Sequence, residues 1–377
     1  MIILPIKKLR PGMITAQSIY NKKGGSYLTR GMPVTEQNIK RLKKIGVTHL
    51  TVTSMTPSFS VVPPEDIIQE KTRVKAIHNV YDVYQRLEST GELSPDSLAV
   101  TSEEILVDIL SHKKNLVQLT DLRMHDDYTF AHSVNVAVLA AMLGAQVHLT
   151  KPELLTLITG GLLHDVGKIV VPSEILSKPG ALSDEEFGII RMHPEEGRKK
   201  LHNLNMPSAS VLAAIAGQHH EHMDGRGYPN RLPGDKIHRF ARIVAIADVY
   251  DALTTRRSYK RAYKPHIAYK IMTDCSPGQF DESLLALFFD NIAIYPVGTI
   301  LKTTKGYAIV KECEFGHTLT PIIRVFGDSN MRVLPEPFDV DLRESPPNTV
   351  TNVLEDMEIM SLLFRMQVDP AKFLQEQ

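Results

Sequence analysis

The residues of this 377-residue chain best suited to chemistry are a histidine and an aspartate side by side, in the run Leu162-Leu163-His164-Asp165-Val166-Gly167-Lys168. Imidazole nitrogen and carboxylate oxygen both bind first-row metals. Lys168, one turn on, is a point charge suited to an anionic substrate. Alone, such a pair reads as a buried ion pair at a helix end. Fifteen histidines are spread along the chain. Five of them (His132, His164, His193, His219 and His220) fall in one block of helical pattern, together with Asp165 and Asp248. Asp248 lies between Ala247 and Val249, after Ile243, Val244 and Ile246. Burying a lone carboxylate there is costly unless a cation or strong donors compensate.

Seven imidazole and carboxylate groups exceed what one catalytic ion with open positions needs, so the count points to two ions. Nitrogen and oxygen ligands without thiolate suit Fe, Mn, Zn, Co or Ni. Asp165 is the candidate bridge between ions about 3.5–4 Å apart. Such a pair acidifies a bridging water and clamps both oxygens of an in-line phosphoryl displacement. Lys168 would then hold a phosphate oxygen. Arg257 and Lys260, just past the Asp248 run, would neutralise a second phosphate.

Helices must position these groups. His132 belongs to a helix expected from Asp126 to about Leu149. Thr150-Lys151-Pro152-Glu153 has capping-box spacing with proline near the first turn, and the helix it opens delivers His164-Asp165 at its end. Ser183-Asp184-Glu185-Glu186 opens another, which ends near His193-Pro194. Ala209 to His222 reads as a helix carrying His219-His220 up to a glycine-rich loop, Met223 to Pro229. Phe240 to Thr255 carries Asp248, and two more helices follow, Tyr263 to Cys275 and Glu282 to Asn291. The expected fold is mainly α, a helical bundle enclosing a metal site over residues 101–296. A small α+β domain precedes it (1–62), then a helical linker (63–100). A β-rich appendage (297–344) and an acidic helix and tail (345–377), with its helix from about Val350 to Met366, complete the chain.

Composition is that of a soluble globular protein, 43% hydrophobic and 23% charged, with zero formal net charge. No global field favours a nucleic-acid polymer. The ends differ: residues 1–60 hold ten Lys/Arg against Glu36, and residues 312–377 hold twelve Asp/Glu against five Lys/Arg. Two cysteines, Cys275 and Cys313, without a CxxC spacing, give no disulfide framework and fit a reducing cytoplasm. The apolar start is too short for a signal peptide, and Val134 to Ala145 is too short for a membrane span.

These residues in this order resemble the HD-GYP family of the HD phosphohydrolase superfamily. The resemblance covers about residues 100–300 and rests on HDVGK at 164–168, HP at 193–194, HHEHMDGRGYP at 219–229 and IADVYDALTTRRSY at 246–259. LRPGM at 9–13 also resembles an uncharacterised domain found ahead of HD-GYP domains. The resemblance implies an HD-type bundle and hydrolysis of cyclic di-GMP to linear pGpG, in some members on to GMP. It implies metal roles for His132, His164, Asp165, His193, His219, His220 and Asp248, with iron or manganese as the first choice. It places substrate contacts on Lys168, Tyr228, Arg257 and Lys260, and GGDEF-domain partners at the GYP loop. Members with three metals use a glutamate four residues before the first histidine. Tyr128 stands there here, so two metals are expected, and onward cleavage to GMP is disfavoured. Two alternatives remain: a regulator that binds cyclic di-GMP or a GGDEF partner without turnover, and an HD hydrolase of another nucleotide.

Overall fold

A computed structural model describes residues 2–16, 18–20, 26–45, 47, 49–54, 67–92, 96–111, 123–124, 128–176, 178, 180–255, 262–368 and 370–374. The chain divides into two units: Met1–Asp66, Leu116–Asp126 and Ile292–Gln377 form one, Ile67–Asn115 and Asp127–Asn291 the other. The described residues are mostly helical, with small sheets near both ends of the chain.

The first unit begins with β1 (Ile2–Pro5), β2 (Ile14–Thr15), β3 (Ile19–Tyr20) and β4 (Ser26–Leu28), then α1 (Glu36–Lys44) and β5 (His49–Ser54). β5 is the middle strand of an antiparallel sheet, β1-β5-β2, with Leu4 opposite Leu50. Thr35 opens α1 by accepting from the Asn38 backbone N–H. The periodicity of α1 turns Ile39 and Leu42 into one core with Leu4, Leu50 and Val52. β6 (Arg123–Met124) pairs in parallel with β3.

Among the described residues the regular elements of the second unit are helices: α2 (Glu70–Thr90), α3 (Asp96–Ser111), α4 (Tyr128–Gln146), α5 (Lys151–Leu163), α6 (Ser173–Leu176), α7 (Asp184–Ile190), α8 (His193–His202), α9 (Ala209–Gln218), α10 (Arg239–Thr254), α11 (Pro265–Gln279) and α12 (Glu282–Asp290). A helix apolar on nearly every face belongs in the middle of a bundle. α4 is such a helix, and Val134, Val138 and Leu139 on it are fully buried. It packs on α5 and α10, while α9 packs on α5, α8 and α10, and α2 and α3 close over α4 and α5. Each buried Leu, Ile or Val there contributes about 1.5–3 kcal/mol. The capping box predicted at the start of α5 is present: Thr150 N–H donates to Glu153 Oε2 at 2.7 Å. So is the one before α7, with Ser183 N–H to Glu186 Oε2 at 2.7 Å and Glu186 N–H to Ser183 Oγ at 3.2 Å.

The rest of the first unit holds β7 (Ile300–Thr303), β8 (Gly306–Glu312), β9 (Ile322–Gly327), β10 (Val333–Asp341), β11 (Val350–Val353) and α13 (Asp356–Met366). The strands form an antiparallel sheet in the order β10-β9-β8-β7-β11. One face packs Ile309 and Phe326 with Ile359 and Leu362 of α13, and the other collects Val310, Val325 and Val340. The helix expected from Val350 begins instead at Asp356. Val350-Thr351-Asn352-Val353 is rich in β-branched residues, which favour a strand, and it pairs with the edge of β7. Glu355 N–H then donates to Glu358 Oε2 at 2.7 Å where the helix begins. The short strand expected at Arg332 to Pro335 runs on to Asp341.

Candidate metal centre

The site is assembled in the second unit from the ends and interiors of five helices and one short 3-10 turn. His132 lies on α4 and Asp248 on α10, both inside otherwise apolar helices. His164 caps the end of α5, and Asp165 opens the short 3-10 turn Val166–Val170. His193 begins α8, and His219 caps α9 with His220 next in the chain. All of these but the half-buried His220 are buried.

Three of the histidines are held by one local device. The last carbonyls of a helix have no partner within it. His164 Nδ1 donates to Gly161 O at 2.8 Å, His193 Nδ1 to Ile190 O at 2.7 Å, and His219 Nδ1 to Ala216 O at 2.9 Å. A carbonyl only accepts, so each ring donates from Nδ1 and turns its Nε2 inward. His132 is set by a side chain instead: its Nδ1 donates to Asp251 Oδ2 at 2.7 Å.

The inward atoms converge on Asp165. Its Oδ1 lies 3.2 Å from His193 Nε2 and 3.8 Å from His219 Nε2. Its Oδ2 lies 3.4 Å from His164 Nε2 and 3.9 Å from His132 Nε2, and it also accepts from Lys168 Nζ. Asp248 faces His132 Nε2 at 3.1 Å and His220 Nδ1 at 3.9 Å. Ligand atoms gather within 4.8 Å of one another in three sets: Asp165-His193-His219-His220, His132-His164-Asp165 and His164-His219-Asp248.

The donor set fits divalent metal. His164 Nε2 and Asp165 Oδ1 are buried with no hydrogen-bond partner, and each such atom costs about 1–3 kcal/mol. His193 Nε2 and His219 Nε2 stand 3.4 Å apart with their other nitrogens already committed to backbone carbonyls. Both nitrogens are placed to ligate one cation. The charge states of Asp165, His219 and His220 agree. Burial opposes ionisation of Asp165, but Lys168 and His164 beside it hold the carboxyl well below the usual range. Burial pushes His220 down to about 3 and His219 well below its usual value, which keeps both neutral and able to ligate. His132 goes the other way. Burial opposes its charge, but Asp248 and Asp251 outweigh that and lift it to about 9.

The expected ligands His132, His164, Asp165, His193, His219, His220 and Asp248 therefore lie together. Lys168 sits on Asp165 with 27% of its side chain exposed. Tyr228 stacks on the His220 ring at 4.7 Å, and the Arg191 guanidinium lies 4.7 Å over the Tyr228 ring. Arg257, Lys260 and the side chain of Tyr128 lie outside the described residues. The expected list lacks a supporting layer. Asp251 orients His132, and Asn135 Nδ2 and Thr255 Oγ1 donate to Asp251 at 2.7 and 2.9 Å. The spacing Asp248-x-x-Asp251 in an apolar helix was the signal for Asp251. Glu221, buried beside His220, accepts from Asn230 N–H at 2.7 Å and Leu232 N–H at 3.0 Å, tying down the loop that carries Tyr228.

Residues 104–284 match the HD domain model, so the bundle and its cluster define a protein of the HD class. HDVGK and Gly227-Tyr228-Pro229, the motifs on which the resemblance to the HD-GYP family rests, both fall inside that match. The chain is 38% identical over 232 residues to the cyclic di-GMP phosphodiesterase PA4108 of Pseudomonas aeruginosa, covering 61% of this chain and 56% of that protein. It is 39% identical over 170 residues to 3'3'-cGAMP-specific phosphodiesterase 2 of Vibrio cholerae, covering 44% of this chain and 32% of that one. It is 38% identical over 142 residues to the cyclic di-GMP phosphodiesterase response regulator RpfG of Xanthomonas campestris, covering 38% of each. The chain thus spans between 32% and 56% of the length of these relatives.

Proposed function

We propose that the protein is a phosphodiesterase that hydrolyses cyclic di-GMP to linear pGpG with two divalent ions, iron or manganese. The observation that carries this reading is Asp165, a buried carboxylate whose two oxygens face two different sets of imidazoles. In this proposal one ion is held by Asp165, His193, His219 and His220. The other is held by Asp165, His132, His164 and Asp248. Two such ions supply Lewis acidity and an acidified water for in-line attack at phosphorus.

The chain's own groups bind and orient the substrate. Lys168, part exposed beside Asp165, holds a non-bridging phosphate oxygen. Tyr228, with its hydroxyl kept neutral by burial and by Asp248, offers a ring and a hydrogen-bond donor at the His220 side. Arg257 and Lys260 are proposed to neutralise the second phosphate. The GYP loop as a docking surface for GGDEF-domain partners belongs to the same proposal. A cytoplasmic location does too; it fits two unpaired cysteines, and among the described residues no helix is long and apolar enough to cross a membrane.

Product analysis after incubating Mn²⁺- or Fe²⁺-loaded protein with cyclic di-GMP tests the reading. Linear pGpG is expected, and Asp165→Ala should lower turnover by at least a thousandfold. Tight binding with unchanged nucleotide would mean a regulator instead. Faster cleavage of 3'3'-cGAMP or a mononucleotide would move the substrate assignment.

A further inference from the structure

We infer that Arg73, on α2, is a positioning residue for His132, acting through Asn135 and Asp251. The inference rests on the reading of the His/Asp cluster as a metal centre. Arg73 is among the largest fully buried side chains of the protein, 2% exposed, and none of the sequence motifs includes it. Its Nη1 donates to Asn135 Oδ1 at 2.6 Å. Asn135 Nδ2 donates to Asp251 Oδ1 at 2.7 Å, and Asp251 Oδ2 accepts from His132 Nδ1 at 2.7 Å.

The direction of this chain follows from what each group is able to do. A guanidinium has donors only, and a carboxylate has acceptors only. Asn135 therefore has one workable orientation, oxygen towards Arg73 and amide towards Asp251. Asp251 is then anchored by Asn135 on one oxygen and spends the other on His132. The ring of His132 is fixed with Nε2 towards Asp165 and Asp248. Without Arg73 the oxygen of Asn135 loses its anchor, and the amide holds Asp251 from a side chain no longer fixed at its other end. Thr255 Oγ1 still donates to Asp251 at 2.9 Å, so the anchor weakens rather than vanishes. Partners behind a metal ligand typically change metal affinity by about 10–100-fold, and a residue two links back belongs at the lower end.

The test is Mn²⁺ binding by chelator competition to the full chain as wild type, Arg73→Met, Asn135→Leu and Arg73→Lys. One of the two binding steps is expected to weaken by about tenfold in Arg73→Met and Asn135→Leu. The other step should be unchanged, and Arg73→Lys, which keeps a donor, should recover most of the loss. If Arg73→Met does not fold, Asn135→Leu carries the same expectation. Two unchanged steps in folded variants overturn the inference. So do two steps weakened alike with a lowered melting temperature, the mark of general damage to the core. Wild-type protein that binds no Mn²⁺ overturns the metal reading beneath it, and the inference with it.

Discussion

Gly167 shows how closely one residue of the HDVGK run is constrained. A Cβ there would lie 1.9 Å from the carbonyl oxygen of His193 and 2.5 Å from the backbone nitrogen of Gly197. The turn that follows Asp165 therefore presses backbone to backbone against the first turn of α8, and only glycine fits. That contact sets the separation of Asp165 from His193. Gly167→Ala should destabilise the protein by about 2–3 kcal/mol, within the range for overpacked cores, as read by urea unfolding. It should also weaken Mn²⁺ binding in whatever fraction folds; a stable variant with unchanged metal affinity would remove the contact's role. At this scale the site was largely legible in the sequence. His132, His164, Asp165 and Asp248 stood out as polar residues in apolar runs, where burial without a partner is too costly to be casual, and His193 and His219-His220 stood out at helix ends. Asp251 shares that property with Asp248, but its partner, His132, lies 119 residues away in the chain.

The helix ends decide the chemistry of the rings. α5, α7 and α9 each finish within three residues of a candidate ligand, and His164, His193 and His219 each return Nδ1–H to a carbonyl three residues back. One bond meets a stranded helix carbonyl and selects the nitrogen that faces Asp165. The capping boxes that start α5 and α7 were readable because they span only four residues. The loop after α9 was readable as glycine-rich but not as anchored. Its anchor is Glu221, whose two oxygens take Asn230 N–H and Leu232 N–H. Hydrogen bonds to a charged group contribute about 1.5–3 kcal/mol. Glu221→Ala should speed hydrogen exchange of the amides over residues 226–232 and raise KM more than it lowers kcat, since Tyr228 would lose its fixed place on His220. Unchanged exchange at Asn230 and Leu232 would show that the loop holds itself.

The two units have separate handles on stability. A ligand that binds only the folded form stabilises it, so Mn²⁺ should raise the calorimetric transition of the helical unit and a chelator should lower it. The sheet unit should answer to acid. Asp339 on β10 takes Arg324 Nε at 2.6 Å and Lys311 Nζ at 2.8 Å, and the hydrogen bonds from Arg324 in particular hold it at about 2. An unfolded aspartate titrates near 3.9. The unfolded form therefore takes up the proton first as pH falls. The contribution of Asp339 is full above about pH 4 and is lost on the way down through pH 2. Asp339→Asn should flatten the acid slope of that transition and leave the Mn²⁺ response of the helical unit intact; an unaltered slope would assign the acid sensitivity to other carboxylates.

Residue types along the chain were enough for the candidate ligands, the capping boxes that start α5 and α7, and the family signature. These depend on residue type and on hydrogen bonds closed within about four residues, and such information is local. Only the tertiary structure decided that the two oxygens of Asp165 look towards different imidazoles, and that Val350–Val353 would complete a sheet rather than open a helix. It also brought Arg73 behind Asn135, 62 residues on, in a line that ends at His132. Those are pairings between segments distant in the chain. The same residue types permit several partners, and packing in space selects one. The run His164-Asp165 therefore announced a candidate metal site, but the way the two oxygens of Asp165 face different imidazoles is a property of the fold.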